Sequence, residues 1–140
     1  MRFYTANRAG RVAVAQRASA AASFLVSTPA VTLLDIAERP RESGGVNNVA
    51  TVAHELVDEQ KPTGADLAAA ACEYPAAAAR RLGWLLAYTG ADIDLQPLRD
   101  HCARGRTQRS TTYVDPAGPR AGTTDRTWQI IVNTEVEADL

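Results

Sequence analysis

His101 and Cys102 are adjacent, and with His54 and Cys72 they are the side chains of this sequence best suited to hold a soft metal or to act as a nucleophile. A structural zinc site needs about four well-placed ligands. These candidates are scattered along the chain without a Cys-x-x-Cys spacing. The pattern therefore predicts no metal and no catalytic cysteine, and both cysteines read as bystanders. Gly44-Gly45 precedes a helical pattern, and backbone N–H groups at a helix start can hold a phosphate. A phosphate-binding loop would continue into Gly-Lys-Ser/Thr, whereas Val46-Asn47-Asn48 follows here, so a glycine-enabled turn is the expectation. Asp35 follows an apolar stripe and could act as a base, but no Ser, His or metal cluster is near it in sequence. An internal partner for an arginine explains it better. Thr107 to Thr112 is rich in hydroxyls and basic residues, suited to an anion or to a solvated approach to a strand.

Arg80-Arg81-Leu82-Gly83-Trp84 is the most informative stretch for partner binding. On a helix Arg80 and Trp84 stand one turn apart, so the guanidinium can lie over the indole. Arg and Trp dominate interface hot spots, which makes Arg80, Arg81 and Trp84 the candidate partner-binding residues. The competing assignment has Arg81 paired internally with Asp35 or another carboxylate, and Trp84 filling a groove. Gly83 costs about 1 kcal/mol against alanine in mid-helix, which suggests that it admits a close neighbour. No Ser/His/Asp order, paired-carboxylate spacing or nucleotide fingerprint accompanies these residues. Read from residues alone, the chain is a non-catalytic domain without a cofactor.

The elements that position these residues follow from periodicity and caps. The first 26 residues read as strands: Arg2-Phe3-Tyr4, Arg11 to Val14 and Phe24-Leu25-Val26 are short apolar stretches. Thr28 caps a helix with Pro29 in its first position, and Ala30, Leu33, Leu34 and Ala37 form its apolar stripe. Pro40 ends it near Glu38 or Arg39. A second helix presents Val46, Val49, Ala53, Leu56 and Val57 on one face and Glu55, Asp58 and Glu59 on the other. Thr63 and Asp66 form a capping box for a third. Pro75 opens a fourth that Gly90 closes. Asp94 caps a fifth, which turns Leu95, Leu98 and Cys102 inward and tolerates Pro97 in its first turn. Thr111 to Val114 leads into a loop over Asp115 to Asp125, and Trp128 to Val132 reads as the strongest strand. The expectation is one α+β domain over residues 1–140, with N- and C-terminal strands forming a sheet packed against about five helices.

At 140 residues and 46% hydrophobic, the chain can bury an ordinary core without a metal or disulfide staple. A net charge of −1 argues against a free-standing nucleic-acid binder, which would be distinctly basic. No signal peptide opens the chain, and no apolar run approaches the roughly 18 residues of a membrane span. We expect a soluble, cytoplasmic protein.

Five short blocks, taken in order, carry a family resemblance. They are Ser27-Thr28-Pro29-Ala30-Val31-Thr32-Leu33-Leu34-Asp35, Gly44-Gly45-Val46-Asn47-Asn48-Val49-Ala50, Arg80-Arg81-Leu82-Gly83-Trp84-Leu85-Leu86, Val114-Asp115-Pro116 and Arg126-Thr127-Trp128-Gln129-Ile130-Ile131-Val132-Asn133. At these distances the chain resembles, from about Arg2 to Asp139, the C-terminal domain of AbiEi-family antitoxins of type IV toxin–antitoxin systems. The resemblance implies antitoxin activity against a cognate nucleotidyltransferase-like toxin, by direct or functional antagonism, and a link to phage defence. In similar proteins an N-terminal winged helix–turn–helix binds the operon's promoter. Nothing before Arg2 corresponds to it, so promoter binding by this chain alone is not expected. Two readings from other classes are the effector or dimerisation domain of a transcriptional regulator, and a kinase-like enzyme that modifies the toxin.

Overall fold

The computed structural model describes residues 28–104 and 111–140. The expected strands before Thr28 lie outside the described residues.

Among the described residues, five α-helices follow from their caps. In α1 (Pro29–Glu38), Thr28 Oγ1 accepts from Val31 N–H at 3.2 Å, and Ala30, Val31, Leu33, Leu34 and Ala37 are buried. A short 3-10 turn, Arg41–Ser43, then leads through Gly44 (φ 89°) and Gly45 (φ 94°) into α2 (Val46–Gln60). The two glycines build the turn by adopting left-handed backbone angles that cost other residues more. Helix α3 (Gly64–Ala71) opens on the expected capping box, with Thr63 Oγ1 and Asp66 Oδ2 each accepting the other residue's N–H at 3.0 Å. Helix α4 (Ala76–Thr89) starts after Pro75 and ends at Gly90 in the left-handed region (φ 70°). Asp94 Oδ1 accepts from Gln96 N–H at 3.0 Å at the start of α5 (Gln96–Arg104), where Pro97 sits in the first turn.

Helix α4 is the centre of the fold. Every residue from Ala78 to Leu86 is buried, as expected of a helix enclosed on all sides rather than amphipathic. It touches α1, α2, α3, α5 and the C-terminal sheet. The first four helices and α5 contribute Leu33, Leu34, Val49, Val57, Leu67, Leu82, Leu85, Leu86 and Leu98 to one core.

The sheet among the described residues is a two-stranded antiparallel hairpin, β1 (Thr123–Asp125) with β2 (Ile130–Val132), in the register Thr124↔Ile131. Tyr113 makes an isolated parallel bridge to Ile131 on the other edge of β2. There Val114 N–H donates to Ile131 O and Ile131 N–H donates to Thr112 O, both at 2.9 Å. The architecture is thus α+β but mostly helical.

Two boundaries differ from the sequence expectation. The strand expected over Trp128 to Val132 begins only at Ile130, because Trp128 lies in the hairpin turn. Asp125 Oδ1 accepts from Trp128 N–H at 3.2 Å, and Gln129 takes a left-handed φ of 56°. Together they turn the chain where an extended run was expected. Conversely, Thr123 to Asp125, expected within a loop, is paired as β1. Trp128 and Ile130 are buried, at 2% and 0% exposure, while Val132 is only partly buried.

The last residues return to α2. Glu137 N–H donates to Asn47 Oδ1 at 2.9 Å, Asp139 N–H donates to Thr51 Oγ1 at 2.7 Å, and Val136 is buried.

Candidate functional site

Because α4 is enclosed, its polar residues must find partners inside the domain. Arg80 and Arg81 are 3% and 4% exposed and Trp84 is 7% exposed, so none of the three candidates presents a broad outer face. Arg81 spans two elements. Its Nη1 donates to Ala37 O at the end of α1 at 2.6 Å, while Nε and Nη2 both donate to Tyr113 O at 3.1 and 2.9 Å. Burial lowers the Arg81 guanidinium to about 10 from its usual 12.5, against the opposing pull of Asp115 and Glu38. It remains a cation at neutral pH. Arg81 thus lies inside the domain, but its hydrogen bonds go to main-chain carbonyls and not to the carboxylate that was expected. Asp35 accepts from the Tyr74 hydroxyl at 2.7 Å.

Arg80 Nη1 donates to the buried hydroxyl of Thr112 at 3.3 Å. The two arginines thus fasten α4 to Thr112 and Tyr113, the segment that flanks β2. Thr112 belongs to the hydroxyl-rich stretch read as suited to an anion or to a solvated approach to a strand; here its hydroxyl is a buried acceptor, and Thr107 to Ser110 lie outside the described residues. On the same side of the hairpin, Asn133 satisfies its amide by donating to Asp115 O and Pro119 O at 2.8 Å and accepting from Asp115 N–H at 2.9 Å.

Trp84 stacks on Tyr88, with centroids 4.9 Å apart and planes within 14°. Tyr88 is 55% exposed, so a buried indole backs an exposed phenol ring one helical turn away. Sequence reasoning missed Tyr88. Its only signal was the i, i+4 spacing from Trp84, which places both rings on one strip of α4.

The soft ligands divide between two places. His54 Nδ1 lies 3.1 Å from Thr89 Oγ1, in hydrogen-bonding contact. Cys72, His101 and Cys102 line one cleft of about 440 Å³ together with Tyr74, Ala79 and Arg104. Burial raises the Cys102 thiol to about 11, with Arg80 opposing. Burial, reinforced by Arg104, lowers His101 below its usual 6.5. Both groups are therefore neutral at pH 7. Among the described residues no group of three or more His, Cys, Asp or Glu side chains is placed to hold a metal. No helix among them is long and apolar enough to cross a membrane.

The AbiEi antitoxin C-terminal domain family model matches residues 2–88. This span is narrower than the likeness expected up to Asp139, and it ends one residue before the end of α4. No curated protein and no solved structure matches the chain. The match covers α1, α2, α3 and nearly all of α4, including Arg80, Arg81 and Trp84, and the chain belongs to the AbiEi antitoxin C-terminal domain family.

Proposed function

We propose that the chain acts as an antitoxin of a type IV toxin–antitoxin system, in the cytoplasm, and counteracts a nucleotidyltransferase-like toxin encoded beside it. The observation that supports this reading is the family match over residues 2–88, which takes in four helices of the core. In this reading the chain contributes binding rather than catalysis. Its two central arginines are engaged with Ala37, Thr112 and Tyr113, as befits residues that hold a scaffold. Arg80, Arg81 and Trp84 then serve partner binding from beneath the surface: they fix α4, and Trp84 holds Tyr88 outward as the aromatic contact.

Co-expression with the adjacent toxin tests the proposal. The wild-type chain should restore growth. Tyr88→Ala should weaken rescue while leaving the melting temperature nearly unchanged, because the ring is exposed. Trp84→Ala should lose rescue together with stability, at a cost of about 3–5 kcal/mol. Failure of the wild-type chain to restore growth sinks the antitoxin assignment. Full rescue by Tyr88→Ala removes the stacked pair from the contact surface.

A further inference from the structure

Both cysteines of the chain line the cleft where the end of α3, the start of α4 and the end of α5 meet. At the start of α3, a side chain added at Gly64 would strike Asp94 O and Pro97 Cδ, so the first turn of α3 lies directly against the first turn of α5. The two helices pack together from there. Cys72 is eight positions beyond Gly64, and Cys102 is eight positions beyond Asp94 (72 − 64 and 102 − 94). Both cysteines lie towards the C-terminal ends of their helices: Cys72 caps α3, and Cys102 falls in the last turn of α5. Consistently, both line the one cleft at that end. Cys102 is on its buried side and Cys72 is exposed. Cys72 also sits at the C-cap of α3, where the helical hydrogen-bond ladder stops and small adjustments are easiest.

We propose that Cys72 is a thiol-modification site and that its modification resolves into a Cys72–Cys102 disulfide joining α3 to α5. The co-reactant is a low-molecular-weight disulfide such as oxidised glutathione. The Cys72 thiolate attacks one sulfur of that disulfide; its S–S bond breaks and one glutathione thiolate leaves. Cys102 then loses its proton to water and attacks Cys72 Sγ, releasing the second glutathione thiolate, which takes up a proton. Two protein thiols are oxidised and one glutathione disulfide is reduced to two glutathiones. Exposure makes Cys72 the entry point. Burial of Cys102, which holds its thiol neutral, makes the second step the slow one.

The test is equilibration of the whole chain with reduced and oxidised glutathione, followed by acid quenching and mass spectrometry of proteolytic peptides. The expected product is a Cys72–Cys102 linked peptide pair. Its equilibrium constant against glutathione should be at least about tenfold higher in the native protein than in the chain unfolded by urea, because folding brings the two thiols together. Cys102→Ser should trap glutathione on Cys72. The wild-type comparison between native and unfolded chain needs no variant, so misfolding of Cys102→Ser would not obscure the result. An equal or smaller constant in the native protein, or a glutathione adduct on Cys72 that persists in the wild type without a linked pair, overturns the proposal.

Discussion

The backbone of Gly83 lies against the six-membered ring of Trp128: any side chain at position 83 would fall inside the indole. A glycine in the middle of the most buried helix is explained by this contact, which seats the C-terminal hairpin on α4.

Gly83→Ala sets two effects against each other. Helix propensity favours alanine by about 1 kcal/mol, whereas overpacking of a filled core costs about 1–3 kcal/mol. Since the obstruction is a ring that is 2% exposed, the steric effect should win. Urea denaturation should show a net loss of about 1–2 kcal/mol, with a red-shifted tryptophan emission. Adding Trp128→Leu should recover part of the loss in a double-mutant cycle. Additive losses would show that the two residues do not communicate.

Arg81→Met should destabilise the domain by about 2–4 kcal/mol, because it leaves Ala37 O and the doubly bonded Tyr113 O without their donor. Lysine keeps the charge but cannot fork between two carbonyls. Arg81→Lys should therefore recover less than half of that loss in the same denaturation assay. Full recovery by lysine would assign the effect to charge and not to geometry.

The helices were largely legible in the sequence because their ends depend on local chemistry. Thr28 with Pro29, Thr63 with Asp66, and Gly90 each act within a few residues of themselves. The hairpin was not. Trp128, Ile130 and Val132 alternate as a strand would, and nothing in the sequence announces that Gln129 turns left-handed. The polar run Thr123 to Asp125 looked like loop because its pairing partner supplies the order. At the candidate site, the residue types at Arg80, Arg81 and Trp84 stood out. The acceptors of Arg81 are main-chain oxygens, which any residue carries, so no sequence pattern could identify them.

Alkaline pH should weaken the fold through Cys102. Its folded-state pKa is raised from 9.0 to about 11, chiefly by burial. Between these values the unfolded chain has released the thiol proton while the folded chain retains it. Stability from this group is therefore complete below pH 9.0 and is lost as the pH rises towards 11. Urea midpoints measured under reducing conditions from about pH 8 to about pH 11 should fall more steeply for the wild type than for Cys102→Ala. Parallel curves would exclude Cys102 as the source.

The matched segment stops at residue 88, yet the ring that fills the notch at Gly83 comes from position 128. During synthesis, α4 therefore emerges from the ribosome with a bare groove, and its covering segment is still to be translated. A transcript cut short near the family boundary would yield a chain with an uncapped apolar helix, open to proteases.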